Sequence, residues 1–205
     1  MAIHCMNPNT LGSLAEAMWK VTSVDGKALI DSFAETIVNL DNNWKGSDAV
    51  ANLKDLNAVY TEVVNLVKSL EQLVVTVNNE EVLPLQRHIQ ISGGTCTIGN
   101  TLAPKLGNVS SSIAIQSEGL VSKTENGFIA IAEKFSSFPT EFTKFVSLLD
   151  EAKENLVRNW LDGANREAVI STYNKFKDNV QTYTAQLNRV RDNINVVKKT
   201  KQQLL

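Results

Sequence analysis

The sequence predicts an all-α protein: a four-helix bundle built from two antiparallel helical hairpins, with a small Gly/Ser-rich insert between them. Three observations predict it. Two long segments free of internal Pro and Gly carry heptad spacing, the pattern of the first half returns 116 residues later, and each half turns at a tryptophan followed closely by a glycine.

Leu53, Leu56, Tyr60, Val63, Val67, Leu70, Val74 and Val77 step by three and four residues, which puts them on one narrow stripe of a helix, the a and d positions of a helix pair. Val169, Tyr173, Phe176, Val180, Tyr183, Leu187, Val190, Ile194 and Val197 keep the same alternation. These stripes predict helices over about 47–82 and 164–203. Each is preceded by a further stripe: Ile30, Phe33, Ile37, Leu40 and Trp44 before the first, and Phe142, Phe145, Leu149, Ala152, Leu156 and Trp160 before the second. The earlier of these reaches back to near Ser13 through Leu11, Leu14, Met18 and Val21. It falls out of phase at Asp25-Gly26, which predicts a kink or break there. The later one is predicted to begin near Pro139, a good first-turn residue with Glu141 just inside.

A shift of 116 lays Trp44 on Trp160, Phe33 on Leu149, Leu40 on Leu156, Leu53 on Val169 and Val74 on Val190. The chain therefore divides into a first hairpin over residues 1–87, an insert over 88–127 and a second hairpin over 128–205. A short corner makes the helices of a hairpin antiparallel neighbours. With one stripe per helix a single hairpin buries little, so two packed face to face complete a bundle. The insert holds most of the ten glycines together with Ser, Thr and Asn. His88 to Ile98 alternates apolar and polar around Gly93-Gly94, which fits a small β-hairpin. An ordered linker is expected, because a structureless segment of this length is unusual in a compact domain.

Hydrophobic residues at 43% and charged residues at 20% are ordinary for a globular chain and argue against wholesale disorder. A net charge of −2 offers nucleic acid no basic stripe and gives an anionic membrane surface no attraction. No apolar run is long enough for a membrane span. The opening MAIHCMNPNTLGSL has neither the basic start nor the apolar core of a signal peptide. The protein is expected outside the cell by a route that reads no cleaved leader, or alternatively in the cytoplasm. Cys5 and Cys96 form no CxxC and read as two free thiols, with one bridge from the N-terminus to the insert as the alternative. His4 and His88 are the only histidines, and no Glu-x-x-His or Cys/His spacing suggests a metal. No Gly-x-Ser-x-Gly and no Gly-x-x-x-x-Gly-Lys occurs. No catalytic residue, metal ligand or cofactor is expected, and the chain is not read as an enzyme.

The corners carry the strongest local signal. In Asn43-Trp44-Lys45-Gly46-Ser47-Asp48, Gly46 suits the positive φ that ends a helix. Ser47 or Asp48 suits the cap of the next. Trp44 continues the stripe and plugs the hairpin end. Trp160-Leu161-Asp162-Gly163 repeats this logic with one more residue before Gly163. Trp19, beside Met18, is expected partly buried against the insert. Lys198-Lys199-Thr200-Lys201 reads as a solvated helix end, where the dipole favours cations.

These corners resemble the WXG-type family, the early-secreted-antigen-like proteins of type VII secretion. Trp44-Lys45-Gly46 matches the family motif as it stands, and Trp160 to Gly163 matches it loosely. The resemblance covers residues 13–82 and 139–203. Members are helical hairpins that pair as antiparallel four-helix dimers, so the resemblance implies a chain imitating that dimer as a monomer, or a homodimer. It implies Trp44, Gly46, Trp160 and Gly163 as binding residues, with the secretion machinery or a cognate helical effector as protein partner. The chain departs from the family in one respect. Exported members or their partners carry Tyr-x-x-x-Asp/Glu, but Val64, Lys177 and Leu187 stand four places after Tyr60, Tyr173 and Tyr183. Either a partner supplies that tail, or the chain is not exported at all. Two other readings are a cytosolic helical adaptor unrelated to secretion and a membrane-active helical toxin component. The only tongue for the latter, residues 89–115, is polar and glycine-rich, which argues against it.

Overall fold

The computed structural model describes residues 4–5, 7–116 and 125–202. The chain is mainly helical: α1 (Pro8–Lys20), α2 (Gly26–Asn43), α3 (Ser47–Thr76), α4 (Leu83–Ile91), α5 (Glu125–Asn159) and α6 (Ala164–Gln202). Among the described residues the one sheet is two-stranded, with β1 (His4–Cys5) antiparallel to β2 (Trp160–Asp162). No described helix is long and apolar enough to cross a membrane.

Asn7 starts α1, its Oδ1 accepting the amides of Asn9 at 2.9 Å and Thr10 at 3.2 Å. Pro8 follows at the first helical position, where no amide donor is needed. The phase slip at Asp25-Gly26 is met without a break. A π-helical turn, Val21–Asp25, joins α1 to α2, and its wider winding re-aims the stripe. Leu11, Ala15 and Met18 are buried before it, and Ile30, Phe33, Ile37 and Leu40 after it.

A second π turn, Val77–Val82, joins α3 to α4, so the helix predicted to stop near 82 runs to Ile91. Gly93, at φ +83°, stops it. The amides of Ser92, Gly93 and Gly94 bond back to the carbonyls of His88, Gln90 and Ile89, which satisfies orphan groups at the helix end. The expected β-hairpin around Gly93-Gly94 is therefore not formed. Its first half is helical, and described residues 94–116 contain no strand; amides there such as those of Gly99, Leu102, Lys105 and Ile113 are taken by helix side chains. Residues 117–124 of the insert lie outside the described residues.

The start expected at Pro139 is also corrected. α5 begins at Glu125 and carries Pro139 in its interior. Phe128, Phe135, Phe138 and Phe142 are all buried and extend the apolar stripe backwards past the proline. Ser136 and Ser137 donate their hydroxyls to the carbonyls of Glu133 at 2.6 Å and Lys134 at 3.1 Å in the turn that the proline disturbs.

The chain groups into two compact units. The first comprises Met1–Lys27, Leu66–Val109 and Phe145–Asp178; the second comprises Ala28–Asn65, Ser110–Lys144 and Asn179–Leu205. Leu11, Met18, Leu70, Leu149, Trp160 and Tyr173 are buried in the first unit. Gly26 fits there because a Cβ would lie 2.8 Å from Val67. In the second unit Phe33 meets Tyr60 edge-on with ring centroids 5.6 Å apart and Phe138 at 4.5 Å, tying α2, α3 and α5 together. Leu187, Val190 and Ile194 bring in α6. Each such large apolar side chain contributes about 1.5–3 kcal/mol on full burial.

Candidate functional site

The two corners lie in different units. At the first, α2 ends at Asn43, and the Trp44 amide closes on the Leu40 carbonyl at 2.7 Å. Gly46 has φ +109°, and its carbonyl accepts the Val50 amide at 3.1 Å. Gly46 thus holds the position from which α3 starts, with Ser47 already inside the helix. Asp48 lies in the first turn, where a carboxylate favours the helix dipole. Trp44 is 5% exposed and packs edge-on against Phe128 at 5.8 Å.

The second corner is built alike. Gly163 has φ +145° and its carbonyl accepts the Glu167 amide at 3.2 Å. The extra residue is accommodated by β2, to which the N-terminal β1 pairs. Trp160 is 0% exposed. Its Nε1 is a buried donor without an acceptor among the described residues, while its carbonyl accepts Arg166 Nε at 2.6 Å. Asn43 and Asn159 bond the carbonyls of Asn39 and Asn155 at 2.8 and 2.9 Å. The run Asn-Leu-x-x-Asn-Trp at 39–44 and again at 155–160 was the sequence signal for this shared detail.

Beside Trp44 the second unit opens a cleft of about 480 Å³. The start of α3 supplies Asp48, Ala51, Asn52 and Asp55, and the end of α6 supplies Arg189, Asn193, Val196 and Val197. Asn193 donates to Asn52 at 2.8 Å, and Arg189 pairs with Asp55. Val196 is 64% exposed on its rim. The lining thus mixes apolar side chains with charged and amide ones.

In the first unit Tyr173 donates to Asp150 at 2.6 Å, and Lys177 adds a second bond to that carboxylate at 2.9 Å. The Tyr173 bond, more than Lys177, holds the Asp150 carboxyl below its usual range. Burial, then the bond to Asp150, pushes the Tyr173 phenol far up. Both groups move away from neutral pH. That suits a staple between α5 and α6 and not proton transfer, which needs pKa values near the working pH. Among the described residues no group of three or more His, Cys, Asp or Glu is placed to hold a metal ion. The Cys96 thiol is buried and free, 2.9 Å from Asn9 Oδ1. The side chains of His4 and Cys5 lie outside the described residues.

The insert supplies what periodicity missed. Residues 96–116 form a strap without helix or strand, turning at Leu106–Val109 and bonded to helix side chains. Trp19 is half-buried against it, as expected, donating to the Ala103 carbonyl at 2.9 Å under the Lys105 ammonium. Asn79 bonds both the amide and the carbonyl of Leu102, at 2.9 and 2.8 Å. In the second unit Asn57 does the same for Ile113, at 3.1 and 2.9 Å. No protein-family model, curated protein or solved structure matches the chain.

Proposed function

We propose that the chain is a WXG-like substrate of type VII secretion, or the helical escort of a larger secreted effector, folding its two hairpins into a four-helix bundle and acting by protein–protein binding. The observation that supports this reading is the pair of corners. Each ends a long helix on a buried tryptophan, reverses at a glycine of positive φ and starts a second long helix. Because both indoles are buried, recognition falls to the surfaces they hold in place. At the first corner that surface is the cleft between α3 and α6. A partner helix with an apolar stripe would lie on Ala51, Val196 and Val197, above the buried Trp44, with polar ends meeting Asp55 and Arg189. The same partner would supply the Tyr-x-x-x-Asp/Glu motif that none of Tyr60, Tyr173 and Tyr183 begins.

The test is export. The protein is measured in culture supernatant of the native host and of a strain lacking the secretion ATPase. Appearance outside only with the ATPase supports the reading. Retention in both strains removes it and leaves a cytosolic helical adaptor. Trp44→Ala is a poor probe, since it empties a buried site. Val196→Asp, on the exposed rim, is expected to reduce export while leaving helix content unchanged.

A further inference from the structure

In the first unit the strap covers polar side chains where a structural cover would lie on apolar ones. Among residues 97–109, only Leu102 and Leu106 are buried, with Cys96 just before them. The other attachments run from side chain to main chain. Gln86 accepts the Gly99 amide at 2.9 Å, Asn79 takes both groups of Leu102, and Glu71 accepts the amides of Lys105 and Leu106 at 2.8 and 3.0 Å. Trp19 donates to the Ala103 carbonyl, and Lys68 to those of Gly107 and Val109. Pro104 falls where no amide is called on.

The order is systematic. From Lys68 through Glu71 and Asn79 to Gln86 the helix number rises, while the strap number falls from Val109 to Gly99. Between Glu71 and Gln86 the helix advances about 22 Å, close to the roughly 20 Å of extended chain from Lys105 to Gly99. From Gly99 to Lys105 the face therefore reads the backbone of a chain running antiparallel to it, before that chain turns at Leu106–Val109. Side-chain identity enters at three places: leucine at 102, leucine at 106, and a cation at 105, whose ammonium lies 4.6 Å from the Trp19 ring centroid. The π turn Val77–Val82 lets adjacent Asn78 and Asn79 both reach the strap, Asn78 bonding the Asn100 carbonyl at 2.9 Å. π turns recur at functional sites. Beneath the strap lie Glu71, Asn78, Gln86 and Ser23. These are groups that water satisfies when the strap lifts, whereas an exposed apolar core could not be satisfied in this way.

We propose that this face is a peptide-binding channel, that the strap is its resident occupant, and that it takes an extended segment of a partner protein with the same chemistry: two leucines four residues apart, a proline between them and a basic residue before the second. The site is independent of the secretion reading. The test uses the full chain carrying Leu102→Asp and Leu106→Asp, which loosens the strap and spares the channel. A fluorescent peptide of residues 99–109 is titrated in and followed by anisotropy, with circular dichroism reporting helix. Saturable binding by the helical variant is expected. Binding to the unaltered chain should be at least about tenfold weaker, because its tethered strap competes at millimolar effective concentration. Adding Asn79→Ala to the loosened chain should also weaken binding at least about tenfold, through the lost pair of main-chain bonds. A helical variant that takes up no peptide overturns the proposal. If the variant loses its helix, hydrogen exchange of the unaltered chain decides. Amides of Leu102, Lys105 and Leu106 exchanging well ahead of those in 66–76 support a strap that lifts by itself, and exchange of both sets only in one global event overturns it.

Discussion

Asn43 and Asn159, 116 residues apart, make the same bond, each donating to the carbonyl of an asparagine four residues earlier and each preceding a buried tryptophan. The two corners therefore share one local construction: an amide that ties the last turn, an indole that fills the end, and a glycine that turns the chain. The glycine is the element whose replacement can be costed most simply. At Gly46 an added Cβ meets nothing within 4 Å, and at Gly163 it stands 3.5 Å from Trp160 Nε1, an ordinary contact. The cost of alanine is thus backbone strain at positive φ, about 1–3 kcal/mol, and similar at both corners. Urea unfolding of Gly46→Ala and Gly163→Ala measures it. Gly107→Ala, in open space without a positive φ, is the control and should be neutral or stabilising by up to about 1 kcal/mol. Equal behaviour of all three variants would remove the corner argument.

Trp160 separates filling from hydrogen bonding. Trp160→Ala empties a fully buried site and should cost about 3–5 kcal/mol. Trp160→Phe keeps most of the ring and removes the buried donor that has no acceptor among the described residues, relieving a penalty of about 1–3 kcal/mol that offsets the smaller void. A net change within about 1 kcal/mol is expected. A loss as large as that of alanine would mean that the indole N–H has a partner.

All three tyrosines are shifted upwards, in each case chiefly by burial. Asp31 adds to the effect at Tyr60, Asp150 at Tyr173 and Glu62 at Tyr183. The folded chain holds these protons more tightly than the unfolded chain, whose phenols titrate near about 10. Their contribution to stability is full below about pH 10 and is lost as pH rises beyond it. The urea midpoint should be level from about pH 7 to 9 and fall above 10, with the phenolate band emerging together with loss of helix. Phenolate appearing near pH 10 with helix intact would contradict this. Asp150 acts in the opposite range. Its carboxyl is lowered, so its contribution is present above about pH 4 and is lost on acidification. Tyr173→Phe should raise its titration midpoint.

How far the sequence carries the fold follows the physics of each element. Every residue of the stripe from Leu53 to Val77 is buried, because heptad spacing and burial are one geometric fact. Gly46 and Gly163 were legible because little else turns a helix so sharply. The two π turns were not. The phase slip after Val21 is visible, but whether it becomes a break or a wider turn depends on the faces that must be buried on either side. The strap left no period at all. Asn57, Asn79, Glu71 and Gln86 recognise main chain, which every sequence offers, so their partners cannot be read from residue types. The alternation of His88 to Ile98 misled for the converse reason: its pattern fits a strand, but Ile91 is 86% exposed and the helix continues through it. The cleft beside Trp44 draws its walls from residues some 140 positions apart, such as Asn52 and Asn193, and only the folded chain brings them together.

Pro139 tests whether burial or winding decides α5. Read as a first-turn residue it would start a helix, yet Phe128 and Phe135 precede it at heptad spacing, and both are 0% exposed. Two terms oppose each other in Pro139→Ala. Restoring an interior amide donor and removing the ring's clash with the Phe135 carbonyl favours the helix by about 3 kcal/mol. Losing a small buried ring costs roughly 1–2 kcal/mol. The first exceeds the second, so the variant should be more stable by about 1–2 kcal/mol and no less helical, as a higher urea midpoint with unchanged slope would record. Destabilisation would mean that the buried ring of Pro139 contributes more to the packing of α5 than its missing amide and its clash with the Phe135 carbonyl cost.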